Sequence, residues 1–403
     1  MREIRLGEFI DENMSLAIHK CKKCGSPVEL IFEPYEICIE GKRIQIDKFP
    51  LLKCTKCNEK VLTEKSKKVI IYLFDELVKG NRSAVISKHK HMGKRYALCE
   101  KYDFKYDYED YENIPGLTAL TGDGFLTPVF FHKHSLIYFM HHPEYELNLF
   151  SETYGELRYK DEFIIPFGIN INGVVIMWLG DLNKLDDTTL TLLQLHNIDS
   201  DHTLIDSEFY QGQMCCIFSE PIIERQIVNK RNKLYDLMKI KLSLDINHLD
   251  EEVIGVLDDI NKPITYSELE IKPVISALHK IIIEAVNIEN LKAFYSHNVQ
   301  QVEKNYKNWG SIKLYAFMLK NLSNDEITEE DINSLIAPLY LLNDLRILYF
   351  HMLSQEKQKE LKQNVLSTLQ IASFDDRAEM YNRLMARLDN FFEYVIKCLN
   401  RVE

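Results

Sequence analysis

The chain has 403 residues, 46% of them hydrophobic and 27% charged, with a net charge of −12; this is apolar material for two or three cores and excludes wholesale disorder. Its longest apolar runs, such as 174–179, have the length of a strand, which excludes a membrane-spanning helix. Nine cysteines without a disulfide-type framework, and a charged N-terminus without an apolar leader, predict a cytoplasmic protein with no secretory signal.

The first 94 residues carry 19 Lys and Arg against 13 Asp and Glu, and the remainder carries 30 against 48. A basic front on an acidic body suits a nucleic acid, an acidic protein partner, or docking on the chain's own body. Within that front stand Cys21-Lys22-Lys23-Cys24 and Cys54-Thr55-Lys56-Cys57. Two Cys-x-x-Cys pairs at this separation predict a tetrahedral four-thiolate site for one structural Zn²⁺ per chain. Such a site has no open coordination position, so it holds a fold and does not activate water. Gly25 and Asn58 follow the two pairs and let backbone amides bend toward the sulfurs. Between the pairs, residues 36–46 alternate apolar and polar around Gly41-Lys42, a hairpin signal, and 49–54 read as a further strand. Thr63 then caps a helix with Ile70, Ile71, Phe74 and Leu77 on one face and Gly80 at its end.

Hairpin, knuckle and helix make a zinc ribbon. Over residues 18–80 it resembles the zinc-binding N-terminal domain of MqsA/YgiT-type antitoxins. The features in common are Cys21-x-x-Cys24, the long β insert, Cys54-x-x-Cys57 and the helix start Thr63-Glu64-Lys65-Ser66. The resemblance implies a domain that binds a partner protein in a toxin–antitoxin or phage-defence setting. The helix-turn-helix half that such antitoxins use on DNA has no counterpart after residue 94. Loss of any one of the four cysteines is expected to unfold this module and spare the rest.

Residues 95–113 are dense in tyrosine and acid and close at Pro115-Gly116. They predict either a boundary segment packed on its neighbours or an acidic aromatic strip lying in a basic groove, the zinc module's own included. From 116 to 220 the runs 128–131, 136–140, 163–167 and 173–179 read as strands, with 170–173 as a hairpin turn. From 221 onward the spacing is helical, over 223–240, 271–286, 288–302, 312–321, 332–353, 357–370 and 377–399. Residues 324–330 supply helix-start chemistry. The expected architecture is thus α+β and multidomain. It comprises a zinc-ribbon module (1–94), a mostly antiparallel α+β domain with an acidic Tyr-rich lead-in (95–220), and an all-α helical domain (221–403).

Two further clusters suggest chemistry. His196, Asp199, Asp201 and His202, followed by Asp206 and Glu208, have the side chains to bind a cation or to act as acid and base. The same residues suit a loop whose Asn and Asp side chains bond its own backbone. His132 and His134 are placed on one strand face, with His141-His142-Pro143 as the turn after it.

The second cluster is Arg346-Ile347-Leu348-Tyr349-Phe350-His351. Arg-x₄-His late in a helical bundle resembles the motif of HEPN-type ribonucleases, although Ile347 stands where that family has a polar residue. The resemblance implies a metal-independent endoribonuclease in which Arg346 holds the phosphate and His351 serves as acid/base, with Asp344 as a polar neighbour. On a continuous helix these side chains lie about 140° apart and converge at a homodimer seam of C-terminal helices. The leading expectation is a bacterial zinc-ribbon interaction protein that binds a protein or nucleic-acid partner, with no membrane contact. The HEPN-like nuclease is the alternative.

Overall fold

The computed structural model of the chain describes residues 3–12, 20–87, 95–114, 123–248, 251–298, 306–322 and 328–401. They form two compact units, divided in sequence between Glu220 and Pro221. All named strands fall in the first unit and the second is helical, so the fold class is α+β. The 94/95 boundary, Pro115-Gly116 and the tail of the 288–302 helix fall partly outside the described residues.

In the first unit β1 (Glu3–Ile4) and α1 (Leu6–Glu12) precede a sheet built on one long hairpin. β2 (Val28–Ile39) and β3 (Lys42–Cys54) pair antiparallel from Val28↔Cys54 to Ile39↔Lys42. Their two-residue turn holds Glu40 at φ 47° and Gly41 at φ 75°. This doubly left-handed turn follows the twist of the strands, and glycine adopts it without strain. The expected 36–46 hairpin is therefore the tip of a longer ribbon, and 49–54 continue the same strand. A register shift between Glu33 and Tyr35 takes up Pro34, which cannot donate to the ladder. β4 (Lys60–Leu62) and β5 (Ala84–Ser87) both pair with β3, and α2 (Glu64–Lys79) covers the sheet. Thr63 caps α2 by accepting from the Ser66 amide at 3.0 Å. Ile70, Phe74 and Leu77 of α2 are buried with Ile44, Ile46, Phe49 and Leu51.

Two short helices, α3 (Leu98–Lys101) and α4 (Tyr108–Glu112), make up the acidic Tyr-rich segment. A second sheet follows, of β6 (Pro128–His132), β7 (Tyr145–Leu149), β8 (Tyr154–Tyr159), β9 (Phe163–Ile169), β10 (Val174–Trp178) and β11 (Asn197–Ile198). Its order is β11-β6-β10-β9-β8-β7 and every pair is antiparallel, as expected. The 170–173 turn joins β9 to β10, with Gly173 at φ 74° and Asn170 Oδ1 accepting from the amides of Asn172 and Val174, each at 3.0 Å.

One expected strand is a helix. Residues 136–140 belong to α5 (Ser135–His141), because Leu136 and Phe139, three apart, are the buried pair. His134 is the residue before that helix, so His132 and His134 do not share a strand face. α6 (Leu179–Leu182), α7 (Asp187–His196) and α8 (Glu208–Cys215) complete the unit. α8 lies close on β9 because residue 168 is glycine: a Cβ there would stand 2.2 Å from Phe209 Cβ. The two sheets share a core in which Cys21, Val28, Leu52 and Cys54 are buried in one cluster with Phe130, Trp178, Phe209 and Tyr210.

The second unit contains α9 (Ile223–Leu242), α10 (Glu251–Leu257), α11 (Glu268–His279), α12 (Ile288–Asn298), α13 (Ser311–Leu322), α14 (Glu329–Phe350), α15 (Gln355–Leu369) and α16 (Arg377–Arg401). Leu234, Leu278, Tyr315, Leu342, Leu345 and Phe391 belong to one hydrophobic core among its described residues. Thr328 and Asp331 form a reciprocal capping box at the start of α14. Two boundaries differ from the periodic pattern. α11 passes into a π turn at Lys280–Glu284, closed by the Ala285 amide on the Lys280 carbonyl at 2.8 Å. α14 stops at Phe350, leaving His351 extended at φ −115° and ψ 146°, and Ser354 caps the next helix.

Candidate metal centre

The two cysteine pairs are built alike. In the first, the Cys21 amide donates to the Ser26 carbonyl at 2.8 Å and the Gly25 amide donates to the Cys21 carbonyl at 2.8 Å. In the second, the Cys54 amide donates to the Glu59 carbonyl at 2.8 Å and the Asn58 amide to the Cys54 carbonyl at 3.2 Å. Gly25 and Asn58 are both left-handed, at φ 71° and 57°, which turns the chain back after the second sulfur. The amides of Lys56 and Cys57 point at Cys54 Sγ, each at 3.4 Å. The β2–β3 ribbon sets the two turns side by side, since Val28 and Cys54 are directly paired at its open end.

Four sulfurs consequently meet. Cys21 Sγ lies 3.5 Å from Cys57 Sγ, Cys24 Sγ lies 3.4 Å from Cys54 Sγ, and all four fall within 4.8 Å of one another. Sulfurs around a tetrahedral ion with metal–sulfur bonds of about 2.3 Å stand about 3.8 Å apart, so the spacing fits. The cysteines are the only group of three or more His, Cys, Asp or Glu among the described residues that is placed to hold a metal ion. Their ionisation is uneven. Hydrogen bonds from Ser26 bring the Cys24 thiol down to about 6. The Glu59 backbone bond pulls Cys57 the same way, but burial and the neighbouring sulfurs outweigh it and push that thiol up to about 12. Four thiolates this close repel one another, and a bound cation is what lets all of them ionise.

Around the sulfurs the surface is basic. Lys20, Lys22, Lys23 and Lys56 are exposed, and Lys23 reaches Glu59 at 3.4 Å. A cleft of about 300 Å³ beside the first knuckle is lined by Cys21, Lys22, Lys23, Val28, Glu59 and Val61.

His196, Asp199, Asp201 and His202 do not assemble into one centre. His196 ends α7, while burial and the nearby His132 and His134 hold its imidazole below the usual range. Asp201 accepts from Asn170 Nδ2 at 2.8 Å, Asn172 Nδ2 at 3.0 Å and the Thr203 amide at 3.0 Å, so it is a loop-bracing carboxylate. Glu208 accepts from Ser151 and Thr153. His202 turns to a residue that the sequence does not flag: its Nδ1 lies 2.8 Å from Oδ1 of Asp110, which is buried and also takes the Ser200 hydroxyl. Its other edge faces Phe32, with ring centroids 4.8 Å apart, and Asp107 at 4.0 Å. Lys48 reaches Glu109 at 2.8 Å and Asp107 at 3.4 Å. Asp107 and Glu109 thereby meet the β2–β3 hairpin at Lys48, and the segment is also packed on its neighbours, with Phe104 edge-on to Phe131. Near α5, His142 packs tilted against Tyr138 and edge-on to Tyr145, with ring centroids 5.1 and 5.2 Å apart.

In the helical unit Arg346 Nη1 stands 3.4 Å from His351 Nε2 within one chain. They meet because His351 has left the helix, so the 140° separation expected on a continuous helix does not apply. Asp344 turns away to Asn364 at 2.6 Å. The polar neighbours are instead Glu284, 3.5 Å from Arg346 Nη2, and the buried His279, whose Nδ1 lies 3.2 Å from the same Glu284 oxygen. Burial holds the His279 imidazole below its usual range, against the pull of Asn343 and Glu284. Sequence spacing misses His279 and Glu284 because they lie about sixty residues from the motif, on a turn whose pitch is not α-helical.

No protein-family model, curated protein or solved structure matches the chain. The likenesses to YgiT-type zinc domains and to HEPN domains rest on the residues quoted for them. No described helix is long and apolar enough to cross a membrane.

Proposed function

We propose that the four cysteines bind one structural Zn²⁺ and that the end of the ribbon they close is a docking face for an anionic partner. The observation that carries this is the lysine set around the sulfurs: both knuckle tips are exposed and basic, with Lys22 and Lys23 on one and Lys56 on the other. A closed thiolate site supplies rigidity and no chemistry, while clustered surface lysines supply long-range attraction that salt screens. Along the hairpin Arg43 pairs with Glu36, Lys42 donates to the Arg82 carbonyl and Lys48 pairs with Glu109 of the internal acidic strip, which favours the knuckle face for an outside ligand. The partner is a nucleic acid or an acidic protein, the latter including the cognate toxin that the YgiT likeness implies. The full-length Lys22→Glu/Lys23→Glu/Lys56→Glu variant, titrated with a mixed-sequence RNA, a DNA duplex and polyglutamate at two salt concentrations, is expected to lose binding about tenfold or more at low salt. Equal binding by wild type and variant to all three probes removes the docking face.

A second reading is supported by the 3.4 Å approach of Arg346 to His351. It makes the helical unit a metal-independent ribonuclease, with Arg346 on the phosphate and His351 as acid/base. On this reading Arg346→Ala and His351→Ala each reduce RNA cleavage by at least about a hundredfold with the fold intact. Wild-type cleavage by both variants eliminates it.

A further inference from the structure

The π turn that ends α11 delivers one carboxylate to two basic side chains. Glu284 Oε1 is 3.5 Å from Arg346 Nη2 and 3.2 Å from His279 Nδ1. Insertion of one residue into a helix shifts everything after it around the axis, and such single π turns are frequent at functional sites. Here the shift is what places Glu284 beside His279, five residues earlier. His279 lies between two polar groups, its Nε2 3.2 Å from Asn343 Oδ1 and its Nδ1 3.2 Å from Glu284 Oε1. Arg346 meets the same carboxylate through an ion pair whose side chains are 36% and 45% exposed, so this pair is weak and open to competition.

Arg346 also presents its second fork nitrogen to His351 Nε2 at 3.4 Å. A guanidinium offers two parallel donors and matches a phosphate or carboxylate in that mode. In this structure one half of the fork is on Glu284 and the other on His351. Past His351 the chain leaves the helix with Phe350 and Met352 exposed, at 51% and 104%, so the Arg346–His351 edge is open to solvent.

We propose that Arg346 and His351 form the receiving end of a phosphate site and that Glu284, delivered by the π turn, is an internal carboxylate occupying Arg346 until the phosphate arrives. This rests on the second reading above for the nature of the ligand, but it is a statement about binding. It assigns Glu284 as a built-in competitor and His279 as the buried residue in contact with it. An incoming phosphate displaces Glu284 from the guanidinium, and the carboxylate moves out to water and away from His279 Nδ1.

The test follows inorganic phosphate binding to the full-length chain through ¹⁵N-labelled histidine side chains, with His279 and His351 identified from single Asn substitutions. In wild type, phosphate is expected to shift His351, at the site, and also the buried His279, which phosphate cannot touch and which reports Glu284 leaving. Glu284→Gln is expected to tighten phosphate about fivefold, the scale of one half-exposed ion pair, and Arg346→Ala to abolish the response. A shift of His351 without His279, no shift of either, or unchanged or weaker binding by Glu284→Gln overturns the proposal. The wild-type titration decides the matter even where a variant fails to fold. Failure of RNA cleavage with the coupled shifts intact would remove the nuclease reading alone.

Discussion

At the scale of single residues, Asp110 and His202 connect the acidic strip with the loop after β11. Burial opposes the charge on His202, but the bond to Asp110 and the negative charges of Asp110 and Asp107 outweigh it, so its pKa is raised above the ordinary histidine value. A group whose pKa is raised by folding stabilises the fold fully below its unfolded pKa, near 6.5, and that contribution disappears as pH rises through the higher folded value. His202→Asn should therefore cost about 1–2 kcal/mol at pH 6 and progressively less as pH rises past the raised folded pKa. Urea unfolding of the two proteins across that range measures it, and a pH-independent difference would contradict the assignment. His202 stands out in the sequence for the wrong reason: Asp199 and Asp201 are its neighbours in the chain, whereas the carboxylate that matters lies 92 positions away. Local spacing carries no information about such a pair.

Among the elements, local chemistry and legibility go together. The α2 cap at Thr63, the turn at 170–173 and the long amphipathic helices of the second unit follow from short-range rules, and the structure has them, with the ends of α11 and α14 departing from the periodic pattern. The misread element is α5, where a run of apolar residues hides a helical pair. α7, for which the sequence raises no expectation, is started by Asp186, whose carboxylate accepts from the amides of Thr188 and Thr189 at 2.8 and 2.9 Å. α8 depends on its contact with β9 at Gly168. Gly168→Ala should cost about 1–3 kcal/mol through overpacking against Phe209, with tryptophan fluorescence reporting it because Phe209 packs on Trp178 at 4.6 Å. A wild-type unfolding midpoint for Gly168→Ala would show that α8 shifts freely.

For the whole molecule, the cysteine cluster was the most legible feature, because two Cys-x-x-Cys pairs state both ligand identity and turn geometry locally. What the sequence could not convey is where the cluster sits. Cys21 and Cys54 are buried in the same core as Trp178, Phe209 and Tyr210 of the second sheet, so losing a cysteine does not act on the first 94 residues alone. Cys54 is fully buried, at 0% exposure, and the metal is expected to stabilise the whole of the first unit through that shared core. The basic lysines are legible as composition, whereas their grouping around the sulfurs requires the ribbon to be folded. The docking proposal and the stability argument both depend on the ion. The deciding measurement is elemental analysis of the purified full-length chain beside its Cys54→Ser variant. The account predicts one zinc per chain in the wild type and a clear loss of it in the variant. A wild-type protein without stoichiometric metal, or a variant that keeps its zinc, would contradict it.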